Sequence, residues 1–133
     1  MFKLARLLLL LISIAAASLL ANGSAQAAAQ KPFDAKAFEA AQATGKPVLI
    51  EIHASWCPTC KAQMPILDKL SASGKYAPIE RMRVDFDSQK NLVKSFKANM
   101  QSTLVLFKGK KEVARSVAVT DAKAIQAMLD KAL

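Results

Sequence analysis

The chain has 133 residues, 53% hydrophobic and 22% charged, with nineteen Lys and Arg against ten Asp and Glu and a net charge of +9. Its length fits one domain with a core large enough to fold without several disulfides. The lysines are scattered, and no aromatic residues interleave with the densest group, Lys108-Gly109-Lys110-Lys111, which excludes a nucleic-acid platform and leaves a solvated surface.

Lys3 and Arg6 open the chain with positive charge, and residues 7–20 are apolar except for Ser13 and Ser18. Ala25-Gln26-Ala27 then places small residues where a signal peptidase reads. Residues 1–27 therefore form a secretory signal cut after Ala27. The apolar run falls short of the ~20 residues that span a bilayer, so cleavage is favoured over a membrane anchor. Residues 28–133 remain as the domain, with seventeen basic residues against ten acidic ones, a net +7. Export would deliver it to an oxidising compartment.

Residues 28–32 read as a tether. Phe33, Ala37, Phe38 and Ala41 have helical spacing, and Gly45-Lys46-Pro47 ends that helix. Residues 48–53 form a nearly continuous apolar run, as expected of a strand covered on both faces. A helix follows to about Ser71, with Pro58 tolerated in its first turn and Pro65 inside it. The next strand lies within 79–86, and Leu92, Val93 and Phe96 mark a helix over 89–97. Residues 103–108 and 112–117 pair as a hairpin about the Lys108–Lys111 turn. Thr120 is the expected N-cap of a last helix that buries Ile125, Met128, Leu129 and Ala132. Right-handed crossovers make the first strands parallel and the last pair antiparallel.

Cys57 and Cys60 are the only cysteines, and they fall where the first predicted strand hands over to a helix. A bridge across two residues constrains the unfolded chain very little, so a purely structural disulfide is a weak explanation. At a helix start, unpaired N–H groups and the positive dipole end stabilise a thiolate, the reactive form in disulfide exchange.

Ala54-Ser55-Trp56-Cys57-Pro58-Thr59-Cys60-Lys61, the helix proline Pro65, Val84-Asp85, and Thr103 through Gly109 together resemble the thioredoxin superfamily. The likeness is greatest to small exported proteins of Gram-negative bacteria. It covers essentially all of residues 28–133, and Trp-Cys-x-x-Cys-Lys with a proline five residues after the second cysteine is specific. The resemblance implies an α/β thioredoxin fold, a central mixed four-stranded sheet with helices on both faces. It also implies a periplasmic thiol–disulfide oxidoreductase with no organic cofactor. Its partners would be protein thiols and disulfides and a membrane redox protein that resets the pair; a monomer is expected. Cys57 resembles the exposed, attacking cysteine, Cys60 the resolving one, and Trp56 the residue flanking the substrate groove.

Three positions depart from the family pattern. Glu51 stands where thioredoxins commonly carry a buried Asp beneath the second cysteine; burial raises a carboxyl's pKa and suits it to accept the resolving thiol's proton. Equally, a Glu there could simply meet water or a lysine. Pro58-Thr59 replaces the usual Gly-Pro, and these two residues help set the reduction potential. Gln101-Ser102-Thr103 replaces the x-Pro-Thr that carries the family's cis-proline. A cis bond before a non-proline residue costs ~3–4 kcal/mol, so the Gln101–Ser102 peptide is expected to be trans and its loop reshaped. A small residue there could also open the sulfurs to a soft metal ion such as Cu(I), or to Zn, which is the alternative function. His53, the single histidine, is a weak candidate for a further ligand.

Overall fold

The computed structural model describes residues 29–133; the signal sequence expected over 1–27 lies outside the described residues. Among them the order is β1 (Lys31–Pro32), α1 (Ala35–Ala43), β2 (Pro47–His53), α2 (Pro58–Ser71), β3 (Glu80–Asp85), α3 (Lys90–Ser95), β4 (Thr103–Lys108), β5 (Lys111–Val117) and α4 (Ala122–Leu129), closed by a 3-10 turn, Asp130–Ala132. One mixed sheet runs in the order β1-β3-β2-β4-β5. β2 lies parallel to β3 and antiparallel to β4, and β4 and β5 form the expected hairpin.

The sheet has five strands among the described residues, where the sequence predicts four. Residues read as a tether lie extended beside β3, pairing Lys31 with Met82 and Pro32 with Arg83. The Phe33 N–H then donates to the Arg83 carbonyl at 2.8 Å. Pro32 lacks a donor, which an edge strand tolerates. A second correction concerns the last helix. Its N-cap is Asp121, whose carboxylate accepts the Ala124 N–H, and not Thr120. An Asp accepts from a helix N–H as well as a Thr does, and it stands one residue nearer the first turn.

Alternation along β2 sorts its side chains between two cores. Val48, Ile50 and Ile52 face α1 and α3 with Met82, Val84 and Val105. Edge-on phenylalanine contacts fill that side, with Phe38 5.6 Å from Phe96 and 5.4 Å from Phe107. Leu49 faces the other way, with Leu67, Leu104, Leu106, Ile125 and Leu129. The four apolar residues expected to face inward from the last helix and its end, Ile125, Met128, Leu129 and Ala132, are all buried there. Two periods, 2 for the strands and 3.6 for the helices, thus account for both layers.

Leu106 is fully buried in the second core. Leu106→Ala removes its methyl groups and leaves a cavity, and should lower unfolding stability by about 2–5 kcal/mol. Urea unfolding of the two proteins measures the difference.

Candidate active site

β2 ends at His53, and the chain turns through Ala54 to Trp56 into α2. Cys57 is the N-cap of α2, with extended backbone, and Pro58 follows as the first helical residue. Pro58 is exposed and Thr59 half-buried. The Cys57 sulfur takes the place of a capping oxygen: it accepts the Cys60 N–H at 3.1 Å. A sulfur so placed faces the free N–H groups of the helix start, which favour its anionic form.

Cys57 was expected to be exposed, and it is 1% exposed. Its sulfur turns inward, packed with Cys60 and Ala54 and against Phe86, because its hydrogen-bond partners lie inside. One of them is Ser102, whose Oγ lies 3.0 Å from Cys57 Sγ and 3.1 Å from Cys60 Sγ. Burial pushes the Cys57 thiol up, but bonds from the Cys60 and Ser102 side chains and from the Cys60 and Thr59 backbone outweigh it. The net direction is below an ordinary thiol. Burial pushes the Cys60 thiol up too, and there the neighbouring Cys57 adds to the rise. The Ser102 hydroxyl and the Ala54 backbone only partly offset it, so Cys60 ends above an ordinary thiol. A more acidic Cys57 followed by a less acidic Cys60 is the order disulfide exchange needs.

The Gln101–Ser102 peptide is trans, as there is no cis peptide bond among the described residues. Ser102 sits in the left-handed region at φ +60°. Its N–H donates to the Ile52 carbonyl at 2.8 Å, and its carbonyl accepts from the Ala118 N–H at 3.0 Å. The Thr103 hydroxyl donates to the Met100 carbonyl at 2.7 Å, closing the loop in which Gln101 is half-buried. Trp56 is 56% exposed beside the site, and its indole N–H donates to Asp87 Oδ2 at 2.7 Å.

Glu51 is buried, on the face of β2 that meets α2. Its partner is an arginine and not a lysine. Arg81 Nε donates to its carboxylate, and Arg81 Nη1 donates to Asp68 at 2.7 Å. Glu51, His53, Cys60 and Gln63 line a void of about 10 Å³, room for about one water. A wider groove of about 550 Å³ between α2 and α4, lined by Pro65, Ile66, Leu70 and Gln126 among others, contains neither cysteine. Among the described residues no group of three or more His, Cys, Asp or Glu gathers to hold a metal. A soft ion here would rest on the two sulfurs.

Sequence reasoning missed Arg81, Asp87 and Gln63. Gln63 had a signal: it shares the inward stripe of α2 with Cys60, Leu67 and Ser71, all buried. An amide on such a stripe must find partners. Arg81 and Asp87 had none, because their partners come from other elements.

The family model described as Thioredoxin matches residues 29–131. The thioredoxin of Chlamydia trachomatis serovar D is 36% identical over 84 residues, covering 63% of this chain and 80% of that protein. The protein disulfide-isomerase erp38 of Neurospora crassa is 33% identical over 107 residues, 79% of this chain and 29% of its own length. The crystal structure of Trxlp from Edwardsiella tarda EIB202 superposes with a TM-score of 0.73 at 38% identity, covering 76% of this chain and 98% of that one.

The thiol order is testable by alkylation. Because the Cys57 thiol lies below its ordinary range and Cys60 above it, lowering the pH from 9 should silence Cys60 first. A small alkylating reagent at neutral pH should label Cys57 before Cys60, read by mass spectrometry of peptides. Equal labelling would contradict the geometry.

Proposed function

The chain belongs to the thioredoxin family and is a thiol–disulfide oxidoreductase, and on that premise we propose that it works outside the cytoplasm, in the periplasm, after removal of residues 1–27. Thioredoxin-family proteins act on protein thiols and disulfides; here these would be exported proteins. A membrane redox protein would reset the dithiol, with the protein acting as a monomer. The basic, apolar and Ala-x-Ala segments of residues 3–27 support export. Among the described residues no helix is long and apolar enough to cross a membrane.

The observation that carries the mechanism is the Cys57 sulfur capping α2 beside the Ser102 hydroxyl. The sulfur is buried at rest, so attack begins as it turns outward past the exposed Trp56. The Cys57 thiolate attacks one sulfur of a substrate disulfide; a new S–S bond forms and the substrate's breaks, releasing one thiolate. Cys60 then loses its proton and attacks Cys57 Sγ, closing the Cys57–Cys60 bond and releasing the second substrate sulfur. Two electrons pass from the protein sulfurs to the substrate sulfurs. The Cys60 proton ends on a released thiol. Glu51, which lines the same small void as Cys60, would carry that proton on the way. Run in reverse, the same steps donate a disulfide. Pro58, Thr59 and Ser102 border the sulfurs and tune their potential and access, and Gln101 and Thr103 shape the loop that presents backbone to the substrate chain.

Cys57→Ala should abolish exchange with a small protein disulfide. Cys60→Ala should leave the first attack and stop the second, so that a mixed disulfide on Cys57 accumulates on a non-reducing gel. Full activity in either variant would sink the mechanism. For location, N-terminal sequencing of the protein recovered from a periplasmic extract should begin at Ala28. Recovery only from the cytoplasm, with Met1 retained, would remove the exported reading.

A further inference from the structure

One hydroxyl reaches both sulfurs. Ser102 Oγ is 3.0 Å from Cys57 Sγ and 3.1 Å from Cys60 Sγ. A serine hydroxyl has a single proton to donate and two lone pairs to accept with. It therefore donates to one sulfur at a time while accepting from the other. We propose that Ser102 serves the two sulfurs in turn, donating to Cys57 in the resting dithiol and to Cys60 once Cys57 is bonded to substrate, and that Gln63 holds it in place for both. The inference rests on the dithiol-exchange reading above.

The resting arrangement follows from the donor count. Cys57 Sγ already accepts the Cys60 N–H, and the Ser102 O–H supplies a second donor to the same anion. The single Cys60 S–H faces both Ser102 Oγ and Cys57 Sγ, and donates to one of them at a time. When Cys57 attacks, its sulfur becomes a neutral disulfide sulfur and a poor acceptor. Cys60 must become an anion next, and the proton of the Ser102 hydroxyl is free to turn to it. No bond in the protein backbone has to change for this exchange.

Such a hydroxyl works only if its carbon is held still. Ser102 is 2% exposed and lies at φ +60°, a conformation a non-glycine residue adopts at some cost. Three hydrogen bonds hold its backbone there: its N–H donates to the Ile52 carbonyl, and its carbonyl accepts from the Ala118 N–H. The third is from Gln63, itself 3% exposed. The Gln63 amide nitrogen donates to the Ser102 carbonyl at 3.2 Å and to the Val119 carbonyl at 2.9 Å. Gln63 thereby clips the Ser102 loop and the start of the β5–α4 connection to the helix that carries both cysteines. Both Gln63 hydrogen bonds go to backbone carbonyls and not to sulfur; it is a positioning residue that acts through Ser102.

Ultraviolet absorbance of the thiolates against pH tests this without any substrate. Ser102→Gly is the cleaner variant, because glycine accepts positive φ freely and the loop keeps its shape. Ser102→Ala retains the Cβ and should agree with it. Each should raise the Cys57 midpoint by about one pH unit, the size expected for one lost bond to a charged group. In a Cys57→Ala background, where the attacking position is neutral, Ser102→Gly should raise the Cys60 midpoint as well. Gln63→Leu should move both midpoints in the same direction by less, and should add nothing on top of Ser102→Gly. Glu51 and His53, the other titratable groups near Cys60, and the Arg81 that faces Glu51 are untouched in every variant. An unchanged Cys57 or Cys60 midpoint in Ser102→Gly overturns the shared hydroxyl. A Gln63→Leu shift that adds in full to that of Ser102→Gly overturns the positioning role. Reduction of a small protein disulfide by the unmutated protein is measured alongside; its failure would sink the exchange reading, while the titration still decides what Ser102 does.

Discussion

The register of β2 against β4 is the constraint on which the site depends. Ile52 pairs with Thr103 across the antiparallel ladder. The Ser102 N–H bonds the Ile52 carbonyl just beyond that pair, while β2 runs on to deliver Cys57. A strand with partners on both edges has no freedom to slide. A slip of one residue would turn Glu51 toward the phenylalanine side and carry Ser102 away from the sulfurs. The hydrophobic faces of β2 forbid that slip, since Val48, Ile50 and Ile52 fill one core and Leu49 the other. Side chains with no part in the chemistry thus fix the distance between a hydroxyl and two thiols more than forty positions away in the chain.

What the sequence revealed was whatever rests on local chemistry. The cysteine spacing, the proline opening α2 and the apolar run of β2 carry their meaning within a few residues, and the element order follows from two periodicities. β1 escaped because two residues, one a proline, hold no pattern; they become a strand only when β3 is there to pair with. The N-cap of α4 slipped from Thr120 to Asp121 because adjacent capping residues look alike in sequence. The burial of Cys57 could not be read either. A thiolate at a helix start suggests exposure, and only the approach of Ser102, forty-five positions away, turns the sulfur inward.

Glu51 shows the same limit in electrostatic form. A carboxylate in a buried strand invites a proton-transfer role, yet its nearest company is a buried arginine. Arg81 is shared between Glu51 within the core and Asp68 at the surface. An isolated charge at that depth would be costly, and removing one partner of such a pair strands the other. Arg81 with its two carboxylates therefore ties β3 to β2 and to the later turns of α2. Any part Glu51 takes in moving a proton is played by a group already committed to holding the helix that bears the resolving cysteine.

The inward turn of Cys57 has a consequence beyond exchange with proteins. Cysteine oxidation to sulfenic and higher acids follows two properties together, thiolate character and exposure. This site combines the first with very little of the second, since the sulfur is 1% exposed. The neighbouring Trp56 is open to solvent where the sulfur is not. A docked polypeptide has contact surface with which to draw the sulfur out; a peroxide has none. Concealment at rest thus slows every reagent that must find the sulfur unaided, and a partner with surface enough to hold it outward gains the most from its reactivity.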